Sequence, residues 1–298
     1  MHKSVLVNEA LGFLGPKKGE VVLDATVGCG GHAEEILKRI LPGGKLIGID
    51  CDKKILTIAE QRLSKFKKSL QLIYDNFRNL DRVLARLNIK KIDCALFDLG
   101  VSSLQLDDAA RGFSFKKSAR LDMRMDEAVK ISAYDFVNSA SEYELDEILR
   151  DYGEERYHKR IAGAIVKRRK KQPIEKTTEL ARIIYENTPA RYRKFKIDPA
   201  TRTFQALRIA VNNELGALKE ALAKIPDYLN PGGRLVTICF NSLEDRIAKQ
   251  YFRQMVKKNI YLNLTKKPVT PQESEAKENP RARSAKLRAV QKMYPAPL

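Results

Sequence analysis

The chain has 298 residues, with 56 Lys or Arg against 37 Asp or Glu and a formal net charge of +19. That length suits about two domains, and no apolar run reaches the roughly 20 residues that span a bilayer. Four cysteines without a Cys-x-x-Cys pair, and only three scattered histidines, argue against a metal site or a disulfide scaffold, and suit reduced, buried thiols in a cytoplasmic protein. No signal peptide is expected. The charge is clustered: Arg156 to Lys196 holds 14 basic and 3 acidic residues, and a second basic run spans Lys277 to Lys292. Clustered positive charge points to a nucleic-acid partner.

In chain order, Ser4 to Leu14 has helical spacing and stops at Gly15-Pro16. Val21 to Ala25 reads as a strand, followed by a helix from about Gly31 to Leu41, a break at Pro42-Gly43-Gly44, and a strand from Lys45 to Asp50. A helix over Lys53 to Phe66, a strand over Leu70 to Tyr74, a helix over Asn79 to Leu87 and a strand over Ile92 to Leu99 follow. Strands of continuous apolar residues alternating with helices predict a doubly wound parallel sheet. The alternation stops after Gly100. Val101 to Asp126 reads as loop, and helical periodicity fills Ser132 to Glu186, in segments Tyr143 to Tyr152, Tyr157 to Arg169 and Thr178 to Glu186. This basic block reads as an inserted helical domain. The α/β pattern then returns: one long helix over Thr203 to Ile225, a turn at Asn230 to Gly233, a strand over Arg234 to Phe240, a helix over Glu244 to Val256, and closing strands over Ile260 to Thr265 and Ala285 to Lys292. Tyr294 to Leu298 is expected to be a frayed tail.

The stretch from Val21 to His32, Val-Val-Leu-Asp-Ala-Thr-Val-Gly-Cys-Gly-Gly-His, is a strand, a glycine loop and a helix start. Glycines there let the backbone turn and approach a ligand. Asp50 lies 22 residues after Gly28, where βαβ cofactor folds place the acid that receives ribose hydroxyls. The Gly28 to Ala33 spacing also fits a permissive dinucleotide pattern, which alone is weak. Asp24 favours S-adenosylmethionine (SAM) over a dinucleotide, because a carboxylate suits a sulfonium and an amine and repels a pyrophosphate. Taken singly, Asp24 can also be a loop cap. A strand–helix–strand–strand ending resembles that of class I methyltransferases.

Across nearly its whole length the chain resembles the bacterial ribosomal small-subunit methyltransferase H family, the MraW-type 16S rRNA cytosine-N4 methyltransferases. The strings that carry the resemblance are Asp24 to His32, Asp98 to Ser103 (Asp-Leu-Gly-Val-Ser-Ser), Arg111 to Phe115 (Arg-Gly-Phe-Ser-Phe) and Leu121 to Asp126 (Leu-Asp-Met-Arg-Met-Asp). Tyr152 to Glu155, Pro199 to Arg208, Ser242 to Arg246 and Asn279 to Arg288 continue it. The resemblance implies a class I SAM-dependent methyltransferase fold, Rossmann-like with a seven-stranded sheet. Residues 1–105 and 209–298 would form the SAM-binding domain, and 106–208 an inserted, mostly helical, basic substrate domain. It implies methylation of a cytidine N4 in the decoding region of 16S rRNA in the small ribosomal subunit. The sequence itself leaves monomer and homodimer open. The resemblance also implies SAM contacts at Gly30, Gly31, His32, Asp50, Phe77, Asp98 and Gln105, beside Asp24.

In this reading Gly30 and Gly31 admit the methionine end, His32 hydrogen-bonds its carboxylate, Asp50 grips the ribose and Phe77 packs on adenine. The Asn/Asp-Pro-Pro-aromatic string of many amino-methyltransferases is absent, and Asp98-Leu-Gly-Val-Ser-Ser stands in its place. Asp98, Asn241 and Ser242 are the catalytic candidates, with Ser102 also lining the base pocket. Asn241 follows Phe240 where the family pattern has a histidine, and an amide cannot act as a base. Arg111, Phe113, Phe115 and Arg124 are expected either to hold an unstacked base or to close over SAM. Lys167, Arg168, Arg169, Lys170 and Lys171 are expected on phosphates. A SAM-binding assembly factor with little catalysis and a methyltransferase with another nucleic-acid target are the alternatives.

Overall fold

The computed structural model describes residues 4–190, 192 and 197–294. The tail predicted after Tyr294 and part of the basic window ending at Lys196 lie outside these residues. The chain forms two compact units: Met1–Gly100 with Leu215–Leu298, and Val101–Glu214, which interrupts the first in sequence.

The first unit opens with α1 (Val7–Leu14), β1 (Val21–Asp24), α2 (Gly31–Ile40), β2 (Lys45–Asp50), α3 (Lys53–Arg62), β3 (Leu70–Tyr74), α4 (Leu80–Arg86) and β4 (Ile92–Asp98). The second unit holds α5 (Ser103–Asp107), α6 (Ala133–Ser139), α7 (Glu142–Asp151), α8 (His158–Arg169), α9 (Thr177–Glu186) and α10 (Ala200–Asn212). The chain closes with α11 (Glu214–Tyr228), β5 (Leu229–Cys239), α12 (Ser242–Lys257), β6 (Tyr261–Asn263), α13 (Glu273–Glu278) and β7 (Lys286–Lys292).

The seven strands form one sheet in the order β3-β2-β1-β4-β5-β7-β6. The first five are mutually parallel, and β7 runs antiparallel to both β5 and β6. Alternation along each strand feeds two cores. Val22, Leu46, Cys94 and Leu96 meet α1 and α2 on one face, while Leu23, Ile47, Ala95 and Phe97 meet α4, α11 and α12 on the other. Strands buried on both faces must be apolar at every position, which is why they are legible as continuous runs. Asp52 starts α3 by accepting from the N–H groups of Lys54 and Ile55 at 3.0 and 3.3 Å, an N-cap of the preferred residue type.

Several sequence expectations need correction. The single helix over Thr203 to Ile225 is two helices, because Asn213 adopts a left-handed conformation (φ 47°) and ends α10; asparagine tolerates that conformation better than other side chains. Val101 to Asp126 is not all loop, since Ser102 and Gln105 form a capping box that starts α5. Asn230 to Gly233 lies within β5, although the pairing with β4 jumps from Leu229 to Arg234. α13 was not foreseen. No helix among the described residues is long and apolar enough to cross a membrane.

The second unit has its own core, in which Leu145, Leu149, Ile161, Ile165, Leu180, Ile184, Phe204 and Leu207 pack from α7, α8, α9 and α10. Capping boxes at Ser132 and Ser141 start α6 and α7.

Candidate active site

Three neighbouring strands, β2, β1 and β4, each end on an aspartate: Asp50, Asp24 and Asp98. In an open α/β sheet the carboxyl ends of the strands border the crevice in which ligands bind. Asp24 is 1% exposed. Its Oδ1 accepts from Thr26 N at 3.2 Å, and Oδ2 has no hydrogen-bond partner among the described residues. Burial pushes its carboxyl up to about 7, the Thr26 N–H opposes the shift, and the Asp50 charge adds to it. Asp50 accepts from Gly28 N and Asp52 N, each at 2.9 Å. These bonds partly offset the burial that raises it to about 6. Asp98 is held through its backbone N–H, which donates to Thr26 Oγ1 at 2.7 Å. Its Oδ1 is buried without a partner among the described residues. Burial, and then the charges of Asp24 and Glu244, place its carboxyl well above the usual carboxylate range. Thr26 thus organises two of the three acids, a role its position in Asp-Ala-Thr did not advertise.

The Cβ side of the glycine loop is packed against protein. Gly30 has φ +81°, and a Cβ there would lie 2.9 Å from Leu63 Cδ1; a Cβ on Gly31 would lie 1.9 Å from Ser4 Oγ. The space over both glycines is therefore filled by protein side chains, so their lack of Cβ serves packing of the loop rather than approach of a ligand on that side. His32 is 4% exposed. Its Nε2 lies 3.0 Å from the Val5 carbonyl and its Nδ1 3.5 Å from Asp98 Oδ2. Both ring nitrogens face protein atoms. Phe77 is half-buried in the short 3-10 turn that follows β3 and packs edge-on against Phe97, with centroids 5.7 Å apart.

Asn241 is the N-cap of α12. Its Oδ1 accepts from Leu243 N and Glu244 N, both at 3.0 Å, while Glu244 Oε2 accepts in return from Phe240 N at 2.8 Å. Both lone pairs of the amide oxygen are thereby used. The Asn241 oxygen is thus closed to a further donor, and only its Nδ2, buried without a partner among the described residues, is left to act, as a donor. Ser242 is exposed in the first turn of α12. In the second unit, Gln105 is buried; its Oε1 accepts from Ser102 N at 2.8 Å and Ser102 Oγ accepts from Gln105 N at 3.2 Å.

The residues expected on RNA divide sharply. Arg111 is buried and its Nη2 donates to the carbonyls of Arg124 and Met125 at 2.8 and 2.9 Å. Arg124 forms a bidentate pair with Asp122 (2.7 and 2.8 Å) and donates to the carbonyls of Glu127 and Val129. Phe113 belongs to the core, and Phe115 packs edge-on against Phe204 at 5.1 Å. The long segment before α6 has little secondary structure, so its carbonyls need other donors, and these arginines supply them. Arg111, Phe113 and Arg124 are corrected from base contacts to supports of this segment. Arg169 likewise donates to the carbonyls of Val137 and Ala140 at the end of α6 and leaves the phosphate-binding set. Lys167, Arg168 and Lys171 instead line an open cleft of about 370 Å³ beside Ile183 and Glu186 of α9, and Lys170 is exposed. The four cysteines are free thiols, and no metal-binding cluster occurs among the described residues.

A parallel sheet with an antiparallel last strand, bordered by acids at the ends of β1, β2 and β4, defines a class I methyltransferase of Rossmann-like fold. The MraW methylase family model matches residues 1–293, and the chain belongs to that family. It is 50% identical over 287 residues to the ribosomal RNA small subunit methyltransferase H of Sulfurihydrogenibium sp. (strain YO3AOP1), covering 96% of this chain and 97% of the relative. It is 48% identical over 292 residues to the protein of the same name from Persephonella marina, covering 98% and 99%. A solved rRNA methylase from Streptococcus thermophilus is 14% identical, with a TM-score of 0.48 over 99% of both chains.

Proposed function

We propose that the protein transfers a methyl group from SAM to N4 of a cytidine in 16S rRNA of the small ribosomal subunit, in the cytoplasm. The observation that carries this reading is the triad of strand-end acids, with an unpartnered oxygen on both Asp24 and Asp98, in a chain of the methylase family whose relatives are named small-subunit rRNA methyltransferases. Buried carboxylate oxygens without partners are costly, and a cationic ligand relieves that cost. The residues therefore fit SAM. Asp24 and Asp98 would face its positive groups, and Asp50, whose two oxygens accept one N–H each, keeps lone pairs for the ribose hydroxyls. The N-terminal turn of α2 offers N–H groups and a positive dipole end to its carboxylate. Phe77, in the turn after β3 of the same unit, completes the set.

When bound, SAM supplies an electrophilic methyl group. The protein must hold the amine about 3 Å from it and in line. Cytosine N4 is a weak nucleophile, because its lone pair is delocalised into the ring. An acceptor hydrogen-bonded to N4–H localises that pair and takes the proton. Asp98 is assigned this role, since Asn241 has no acceptor left. The asparagine at 241 is explained by its cap, for which its side chain ranks among the best, so replacing the family histidine does not argue against turnover. Asp98→Asn with SAM affinity preserved is expected to lower turnover at least ~100-fold; near-normal turnover would remove Asp98 from the role. Lys167, Arg168, Lys170 and Lys171 are assigned to phosphates.

The reading is tested by incubating the protein with methyl-labelled SAM and, separately, small ribosomal subunits, naked rRNA, DNA and protein. Label in the small-subunit RNA is the expected result. Tight SAM binding without transfer to any acceptor would favour an assembly factor instead.

A further inference from the structure

The segment before α1 is tied down at three points. The Val5 carbonyl lies 3.0 Å from His32 Nε2, Leu6 N donates to Glu275 Oε1 of α13 at 2.8 Å, and Ser4 Oγ fills the space beside Gly31. The first of these contacts has a chemical consequence. A carbonyl can only accept, so Nε2 carries the hydrogen, and in the neutral ring Nδ1 bears the lone pair. That lone pair faces Asp98 Oδ2 at 3.5 Å, with the ring 4% exposed. One proton held between Nδ1 and Oδ2 joins the two groups by a hydrogen bond, at a place where the His32 and Asp98 side chains are 5% and 24% exposed. Among the described residues, the groups facing Asp98 are His32 from α2, Asp24 from β1 and Glu244 from α12, with Asp50 beyond Asp24 on β2. Three carboxyls therefore surround the proton's site, and an empty pair would add to their repulsion.

We propose that His32 and Asp98 hold one exchangeable proton, with the histidine tautomer fixed by the Val5 carbonyl, and that the crevice releases protons when it takes up a cationic ligand. The proposal rests on the SAM reading above. It also balances the reaction. Methylation of an amine by a sulfonium forms an N–C bond from the amine lone pair, breaks an S–C bond whose electrons stay on sulfur, and frees one N–H proton. The pair receives that proton, so the crevice exchanges a sulfonium for a proton and keeps its total charge. The demethylated product, S-adenosylhomocysteine, lacks the sulfonium and binds to the protonated pair. The raised carboxyls of Asp98 and Asp24 agree with this, since both are set to hold a proton in the absence of a cation.

The full-length protein without ligand, uniformly labelled with nitrogen-15, tests the first half. Its three histidines keep the spectrum simple, and His32→Gln assigns the resonance. His32 is expected to stay protonated at Nε2 while Nδ1 titrates, and Asp98→Asn is expected to shift that titration downward by a unit or more. A ring protonated at Nδ1 and bare at Nε2, or a titration unmoved in Asp98→Asn, would overturn the proton-sharing pair. Calorimetric titrations at pH 7 in two buffers of different ionisation enthalpy test the second half. SAM is expected to release about one proton more per site than S-adenosylhomocysteine, and Asp98→Asn to lose that difference. Equal proton release for both ligands would overturn the exchange. If neither ligand binds, the cofactor reading itself fails, while the histidine spectrum still decides the pair.

Discussion

Replacing Asp24 with asparagine should stabilise the ligand-free protein while weakening its grip on SAM. The carboxyl is 1% exposed, and burial raises it from 3.8 to about 7. A difference of about 3 units, at ~1.36 kcal/mol per unit, makes the ionised form cost up to about 4 kcal/mol. The sign follows from proton binding. Because the folded value is raised, between about pH 4 and pH 7 the folded state holds a proton that the unfolded state has lost. Stability therefore falls as pH rises through this window and is level above it. Asparagine cannot ionise, and its oxygen can still accept from Thr26 N. Wild type and Asp24→Asn should therefore be nearly equal at pH 4, and the variant should lead by up to about 4 kcal/mol at pH 8. Urea unfolding of ligand-free protein at pH 4, 6 and 8 measures this directly. In thermal melts the gain should read as ~2–4 °C per kcal/mol for a unit of this size. SAM affinity should fall at least ~10-fold in the same variant. An unchanged stability at pH 8, or a gain of the same size at pH 4, would refute the account of Asp24 as a charge held ready for a cation.

Arg124→Ala should destabilise the second unit by ~2–4 kcal/mol in urea unfolding, because it strands Asp122 and two carbonyls. Lysine should not rescue it, since the bidentate geometry is lost. The double variant Lys167→Glu and Lys171→Glu should fold normally, weaken RNA binding and reduce the salt slope of log affinity by about 1 per lost phosphate contact; an unchanged slope would take the cleft out of the RNA interface. Gly31→Ala should destabilise the first unit by ~1–3 kcal/mol as its Cβ meets Ser4 Oγ. Ser4→Ala should restore part of that loss, and strictly additive effects of the two changes would mean the contact is not the cause.

The sheet was legible because buried parallel strands cannot hide. Val21 to Asp24, Lys45 to Asp50 and Ile92 to Asp98 are apolar runs that stop on an acid, and the stop marks the edge of the crevice. What sequence reading missed depends on partners that only the fold brings near. Arg111, Arg124 and Arg169 look like any basic residues until the carbonyls that need them are in place. That Leu63 and Ser4 crowd the Cβ side of Gly30 and Gly31 could not be read from the glycine spacing. The hydrogen bond from His32 to the Val5 carbonyl had no signal at all, since every residue carries a carbonyl. Asn213 shows a local limit: its left-handed turn splits a helical pattern whose hydrophobic spacing runs straight through.

The most direct test of the central claim is the identity of the methylated nucleoside. Small ribosomal subunits that lack the modification are incubated with the protein and methyl-labelled SAM, and their 16S rRNA is digested to nucleosides and analysed by mass spectrometry. The account predicts label in N4-methylcytidine, approaching one methyl group per subunit and lost with Asp98→Asn. Label on a ring carbon, on a ribose or on another base would contradict it.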